Sequence, residues 1–374
     1  PSVSVRRRSL DDPRLAMAAL WAVYEQQKSA FAELPDLQQV VQTMDFPLIN
    51  VLAQMEFRGI KIDASKLEKM NKSLAQDIAA VQQNIYDMVG YEFNVASPAQ
   101  LASALFDKLL LPTAGIKKGK TGYSTNQKEL DKLRGQHPII ELVERFRELS
   151  KLQNTYVAAL PEQTDANGYI HTTFNQDATA TGRLSSTNPN LQNIPIRTEL
   201  GRQIRDAFVP APGNVFVNAD YSQFELRLAA VMAGEKQMIE DFNADVDIHA
   251  KTAAEVYNVP INEVTPTQRR RAKVVNFGVL YGMSQHGLAA AANMSYGEAQ
   301  HFIDEYYRIR PRIKEFMERT IRQAHEDGFV QTLFGRRRPT PDVRSNNFAV
   351  RSAAERAAAN MPIQGTEADL MKLA

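Results

Sequence analysis

Apolar positions along this chain recur first with a helical period, then in short alternating runs, then helically again, and end in a mixture. Residues 14–34, after Asp11-Asp12-Pro13, read as one helix rich in Ala, Leu and Gln. From Phe46 to about Val89, two helices flank a short hairpin, FRGIKID. Gly59 makes its turn, and Ile60 and Ile62 face away from Lys61. Ser97-Pro98-Ala99-Gln100 joins a capping box to Pro at the first helical position, so a helix starts there and ends near Leu111-Pro112. The Gly/Lys-rich stretch Thr113–Tyr123 is expected to be mobile. Helices follow over 126–134 and 139–158, the second with Leu142, Val143, Phe146, Leu149 and Leu152 at helical spacing.

The texture changes near Gly168. YIHTTFNQ alternates like a strand, and TGRLSSTNPNLQNIPIR is turn-rich and irregular. VFVNADYS reads as a buried strand, with Val215, Val217 and Ala219 on one face and Asp220 on the other. A helix follows from about Gln223. From Asp247 to Asp327 the pattern is helical, broken at Pro260, Pro266 and Gly282. DGFVQTLFGRRRP reads as a β-hairpin. A last helix is predicted from Asn347 to Ala359, with another beginning after Pro362. Helices inserted between the strands of a sheet platform predict an α+β fold.

Composition narrows the classes. The 374 residues suggest two or three cooperating substructures. No run of about eighteen apolar residues occurs, so no membrane span is expected. The start, PSVSVRRRSLDD, has no apolar run behind its arginines and is not a signal peptide. Cysteine is absent, which fits a reducing compartment. The net charge of +1 points to no acidic partner by itself, so local clusters matter more. Three stand out: Lys117, Lys118 and Lys120; Arg269, Arg270, Arg271 and Lys273; Arg336, Arg337 and Arg338. Each is either a phosphate-holding patch or an ordinary solvated face. The six histidines lack zinc-ligand spacing, and no Walker A loop, dinucleotide fingerprint or Ser nucleophile elbow is present.

Two segments carry candidate chemistry. Asp220 ends an apolar strand, where a rigid backbone suits the near-octahedral oxygen geometry of Mg²⁺. The other reading is a strand-terminal Asp that starts a turn. In Thr265–Gly282, Thr265 caps, Pro266 opens the helix and Gln268 closes a capping box. Residues four apart share a face, so Arg269, Lys273, Phe277 and Tyr281 form a stripe of two cations and then two rings. That order matches a polyphosphate joined to a flat base. The rings are equally compatible with core packing. Arg183, Gln192 and Arg197 stand isolated between turns, as suits a duplex minor groove. Arg356 and Asn360 share a helix face, with Gln364 beyond; they suit a polar partner or an internal network. His249, near Asp247, is a candidate for local hydrogen bonding.

TATGRLSSTNPNLQNIPIR, DYSQFELR, RRRAKVVNFGVLYG and ERAAANMPIQGTEAD resemble, in order, the signature blocks of DNA polymerase family A, and the similarity runs from about Phe46 to the end. The resemblance implies a right-hand polymerase fold with an antiparallel palm sheet and mostly helical thumb and fingers. The intervals it suggests are 1–45 as an upstream remnant, 46–84 as the palm base and 85–160 as the thumb. Then come 161–234 as palm, 235–330 as fingers and 331–374 as an incomplete palm return. It implies a monomer in the bacterial cytoplasm that binds primer–template DNA and deoxynucleoside triphosphates and uses two Mg²⁺ ions, with Mn²⁺ as an alternative.

By the same resemblance Asp220 and Tyr221 hold metal, and Asp220 and Lys273 are catalytic. Glu225 excludes a 2′-hydroxyl, Arg269 and Lys273 hold the triphosphate, Phe277 packs on sugar and base, and Tyr281 guards the template-base position. His249 contributes to the nucleotide pocket. Arg183, Gln192, Arg197, Arg356, Asn360 and Gln364 contact DNA. An RNA-making or reverse-transcribing relative is the other class, and Glu225 argues against ribonucleotide use. The family's later His-Asp-Glu motif does not occur in this sequence. The expectation is therefore that the chain as it stands is inactive while its parent is an enzyme. The alternative is a catalytically inactive primer–template-binding hand.

Overall fold

The computed structural model describes residues 12–120, 122–196 and 198–374. They form two compact units, one within residues 54–174 and 186–218 and the other within 12–53, 175–185 and 219–374. The expected thumb interval lies within the first of these and the fingers interval within the second.

In the first unit the helices Ala64–Val89 and Ile139–Leu152 pack lengthwise. Leu67, Leu74, Ile85, Ile140, Val143 and Leu149 close their shared face. Apolar side chains repeating every three or four residues dictate this contact. Ser97 caps the next helix by accepting from the Gln100 backbone. The Gln100 side chain turns instead to the Asn94 backbone N–H at 2.8 Å, so the reciprocal half of the expected box is absent. Thr113–Tyr123 contains a small hairpin pairing Lys118 with Tyr123.

The hairpin expected at FRGIKID does not form. Ile60 and Lys61 pair with Ile170 and Tyr169, more than a hundred residues on. Gly59 makes this possible: its φ is +64°, and a Cβ there would meet the Ile170 carbonyl at 2.7 Å. A turn signal shows that the chain bends, not which strand it meets afterwards.

The second unit is built almost wholly from helices. Its core joins Leu226, Ala230, Phe242, Ile248, Val275, Leu280, Phe302, Tyr306, Ile313 and Ile363. The DGFVQTLFGRRRP hairpin forms as expected, pairing Phe329–Gln331 with Arg337–Pro339. Strands pair antiparallel and two at a time among the described residues. Two expectations fail, the first being VFVNAD, which is not a strand. Val215 and Val217, expected inside, are 79% and 86% exposed. Alternation shows which face can be buried, but a strand needs a neighbour to bond to, and none lies alongside among the described residues. At the other end, Phe348–Leu373 is one helix running through Pro362. Proline costs an interior helix about 3 kcal/mol. Here ten residues between Ala358 and Asp369 are buried, and that packing outweighs the break.

Candidate active site

The helix Pro266–Leu280 carries the predicted stripe. Both halves of its capping box form, with Thr265 accepting from Gln268 N–H and the Gln268 side chain accepting from Thr265 N–H. Such a cap contributes about 1 kcal/mol and fixes where the helix starts. Its inner face buries Ala272, Val275, Val279 and Leu280, which leaves Arg269 and Lys273 exposed and Phe277 half-buried. Tyr281 follows as the C-cap.

Each end of the stripe is held by a carboxylate. Arg269 Nε donates to Asp247 Oδ2 at 2.6 Å. Asp247 in turn caps the helix Ile248–Tyr257, accepting from the His249 and Ala250 backbone. Burial pushes the Asp247 carboxyl up, but Arg269 and those two amides outweigh it and hold it below its ordinary value. At the far end the Tyr281 hydroxyl donates to Glu225 Oε2 at 2.6 Å. Burial and then the Glu225 charge push the Tyr281 phenol up to about 12, so it remains a donor. Gln364 also reaches the phenol.

Glu225 is buried near the start of the helix Phe224–Ala233. Its second oxygen accepts from Arg183 Nη2 at 2.6 Å. The same nitrogen bonds Glu367. Burial pushes the Arg183 guanidinium down, and the two glutamates together more than reverse that. The residues predicted from separate motifs, Arg183, Glu225, Tyr281 and Gln364, therefore meet in one cluster.

His249 is also brought in. Its Nδ1 lies 2.9 Å from Asn276 Nδ2, and its ring is 5.8 Å from that of Phe277. Burial pushes its pKa down to about 4 against the pull of Asp247, with Arg269 and Lys273 adding to burial. The folded ring stays neutral where an unfolded histidine, near 6.5, takes up a proton. Stability is therefore full above 6.5 and falls as the pH drops towards 4. This one group is expected to remove about 2 kcal/mol between pH 7.5 and pH 5. Urea unfolding at both pH values checks this, and a His249→Gln variant with an undiminished pH slope would refute it.

Asp220 and Tyr221 are exposed, in the irregular segment before the Phe224–Ala233 helix. No group of three or more His, Asp or Glu side chains assembles as a metal cage among the described residues. The Asp220 carboxylate and the Tyr221 carbonyl are hard oxygen donors of the kind Mg²⁺ takes, and Mg²⁺ commonly keeps its other positions for water and phosphate. Asn360 donates to the Leu280 carbonyl at 3.1 Å and so ties the C-terminal helix to the end of the stripe helix. Arg356 donates to Ser352 Oγ at 2.7 Å. Gln192 is exposed and belongs to the other unit. Arg197 lies outside the described residues.

The three basic clusters differ from their simplest reading. Arg336 is an internal ion, bonded to Asp45 and Asp369. Arg337 lies over the Phe329 ring at 4.4 Å, and Arg338 donates to the Ala357 carbonyl. This cluster presents no free phosphate patch, because cationic side chains half-buried in a hairpin are matched from within. Lys118 lies over the Tyr123 ring, and Arg271 bonds the Asn293 carbonyl. Sequence reading missed Glu367, Asn276 and the partner role of Asp247. Glu367 was within reach of the helical spacing that found Gln364, three residues earlier. Asn276 carried no signal, since only packing shows which helix it faces.

The site is thus a helical stripe of cations and rings, bonded at its ring end to a buried acid, and comparison with known proteins places the chain that carries it. Residues 64–374 match the family model for DNA polymerase family A, and the chain belongs to that family. It is 46% identical over 380 residues to DNA polymerase I of Bacillus caldotenax, covering 99% of this chain and 43% of that one. It is 48% identical over 330 residues to the thermostable DNA polymerase I of Thermus caldophilus, covering 88% and 39%. The chain thus spans less than half the length of these curated relatives. Among solved structures it resembles the POL domain of Pol1 from M. smegmatis in complex with DNA primer-template and dNTP. The TM-score is 0.81 and the identity 42%, over 89% of this chain and 59% of that one. This likeness supports the palm, fingers and thumb architecture. No helix among the described residues is long and apolar enough to cross a membrane.

Proposed function

We propose that this chain is the polymerase hand of a template-directed DNA polymerase that adds deoxynucleotides to a primer 3′-hydroxyl and releases pyrophosphate. The observation that carries this reading is the Arg269–Lys273–Phe277–Tyr281 stripe, fixed by Asp247 at one end and Glu225 at the other. On this reading 85–160 is the thumb, 235–330 the fingers, and the palm is drawn from 46–84, 161–234 and 331–374. Primer–template DNA lies against Arg183, Gln192, Arg197, Arg356, Asn360 and Gln364. The protein acts as a monomer in the cytoplasm.

Arg269 and Lys273 hold the triphosphate through charge-assisted hydrogen bonds. Phe277 packs on the sugar and base, and neutral His249 lines the same pocket. Glu225, held by Tyr281 and Arg183, occupies the space a 2′-hydroxyl would need and so selects deoxyribose. The primer oxygen forms its bond to the α-phosphorus as the bridging bond to the β-phosphate breaks. Lys273 is placed to stabilise the charge on the departing pyrophosphate. Asp220 and the Tyr221 carbonyl would hold Mg²⁺, or Mn²⁺ in its place. When bound, two such ions supply charge stabilisation at the reacting phosphate and lower the pKa of the attacking hydroxyl. Closure of the stripe helix over a correctly shaped pair would precede chemistry.

A second reading, a primer–template-binding hand without chemistry, is favoured because no group of three or more His, Asp or Glu side chains assembles around Asp220 among the described residues. Primer extension with Mg²⁺ and deoxynucleotides separates the two. It is run on this chain and on a longer one that carries a downstream His-Asp-Glu segment. Elongation by the longer chain is expected. If both bind primer–template and neither elongates it, the non-catalytic reading stands.

A further inference from the structure

Glu367 lies in the last of the four motif blocks but is given no role by the polymerase reading, yet it holds one of that reading's DNA-facing side chains. Arg183 Nη2 donates to Glu225 and to Glu367 together. Glu225 has a second donor in Tyr281. Among the described residues Glu367 has only Arg183. One guanidinium and two carboxylates leave a net charge of −1 at a place where a duplex would bring further acceptors.

The backbone that carries Arg183 is closely packed. Gly182 has φ +83°, and a Cβ there would meet Arg336 Cδ at 2.8 Å. A Cβ on Gly365 would meet Thr332 Cγ2 at 2.6 Å and the Thr181 carbonyl at 3.3 Å. Thr179 Oγ1 donates to the Arg183 carbonyl at 2.6 Å. The loop is packed closely at Gly182 and against Gly365, so a change of partner is easiest for the side chain. That side chain is 43% exposed, against 20% for Glu367 and 11% for Glu225. It is the member of the trio with room to turn outward.

We propose that Glu367 is a positioning residue. It holds the Arg183 guanidinium back against Glu225 without DNA and yields it to the minor-groove acceptors of the terminal primer–template pair. This rests on the DNA-facing role given to Arg183 above. Glu367 thereby lowers duplex affinity, and it does so through Arg183 rather than as a free surface charge. Arg183 also leaves Glu225 as it engages, so Glu225 is then steadied by Tyr281 alone.

The test is a double-mutant cycle. Fluorescence anisotropy with a labelled primer–template measures affinity for the wild type, Glu367→Gln, Arg183→Ala and the double variant. Glu367→Gln keeps the shape and removes the charge, and urea midpoints confirm that each variant is folded. Arg183→Ala is expected to weaken binding. Glu367→Gln is expected to tighten it by about 3–10-fold, and to change it by less than about 2-fold when Arg183 is already absent. An equal gain in both backgrounds means plain repulsion and overturns the proposal, as does no gain or a loss in Glu367→Gln. If Arg183→Ala binds as the wild type does, the DNA-facing role of Arg183 fails too, and that outcome is separately visible.

Discussion

Asp220→Ala is expected to lower primer extension at least about 10³-fold in the longer, His-Asp-Glu-containing chain, several kcal/mol of transition-state stabilisation. Binding of primer–template should stay within about 2-fold. The difference arises because Asp220 is exposed and buries nothing, so its loss disturbs no core. It lies outside the Arg183–Glu225–Tyr281 hydrogen bonds that shape the pocket. A rate measured at saturating nucleotide, beside an anisotropy titration, separates chemistry from binding. Extension within about 10-fold of the unaltered chain would remove Asp220 from the chemistry.

The largest stability effect is expected at Arg336. Its Nη1 and Nη2 meet the two Asp45 oxygens at 2.9 Å each, and its Nε meets Asp369 at 2.6 Å. Lys372 adds a bond to Asp45 at 2.7 Å, and Thr332 donates to the other Asp369 oxygen. Asp369 is fully buried. Arg336→Ala leaves that carboxylate with a hydroxyl as its remaining partner, a loss of about 3–5 kcal/mol. It also removes the surface beneath Gly182. Urea unfolding measures this directly, and a shift below about 1 kcal/mol would mean that Asp369 is compensated elsewhere.

The network has a pH signature of definite sign. Burial pushes the Asp45 carboxyl up, but Arg336 and Lys372 outweigh it and hold it below its ordinary 3.8. Its stabilisation is present above that value and is lost as the pH falls through the lower folded value. Asp45 therefore contributes to the acid limb of the stability curve, together with other lowered carboxyls such as Asp247, below the range where His249 acts.

Local order was written in the sequence. Pro266 with Thr265 and Gln268 fixed one helix start, and four-residue spacing then fixed which side chains share its outer face. Those features depend on neighbours within a turn or two, where backbone geometry leaves few choices. The four motif blocks identified the family. The sequence also supplied nearly every member of the site as separate fragments.

Tertiary structure decided who meets whom. Ile60 and Lys61 found Tyr169 and Ile170 instead of their own neighbours, because strand bonds are made across space. Val215 and Val217 alternate like a buried strand, yet stay exposed without a partner beside them. The helix through Pro362 continues because burial on both sides outweighs a local penalty. Arg336 reads as a surface cation and is a half-buried ion, matched by acids 291 and 33 residues away. Glu367 joined the site only when its helix turned it towards Arg183. Periodicity sets the direction of a side chain relative to its own element, and long-range packing alone sets what stands opposite it.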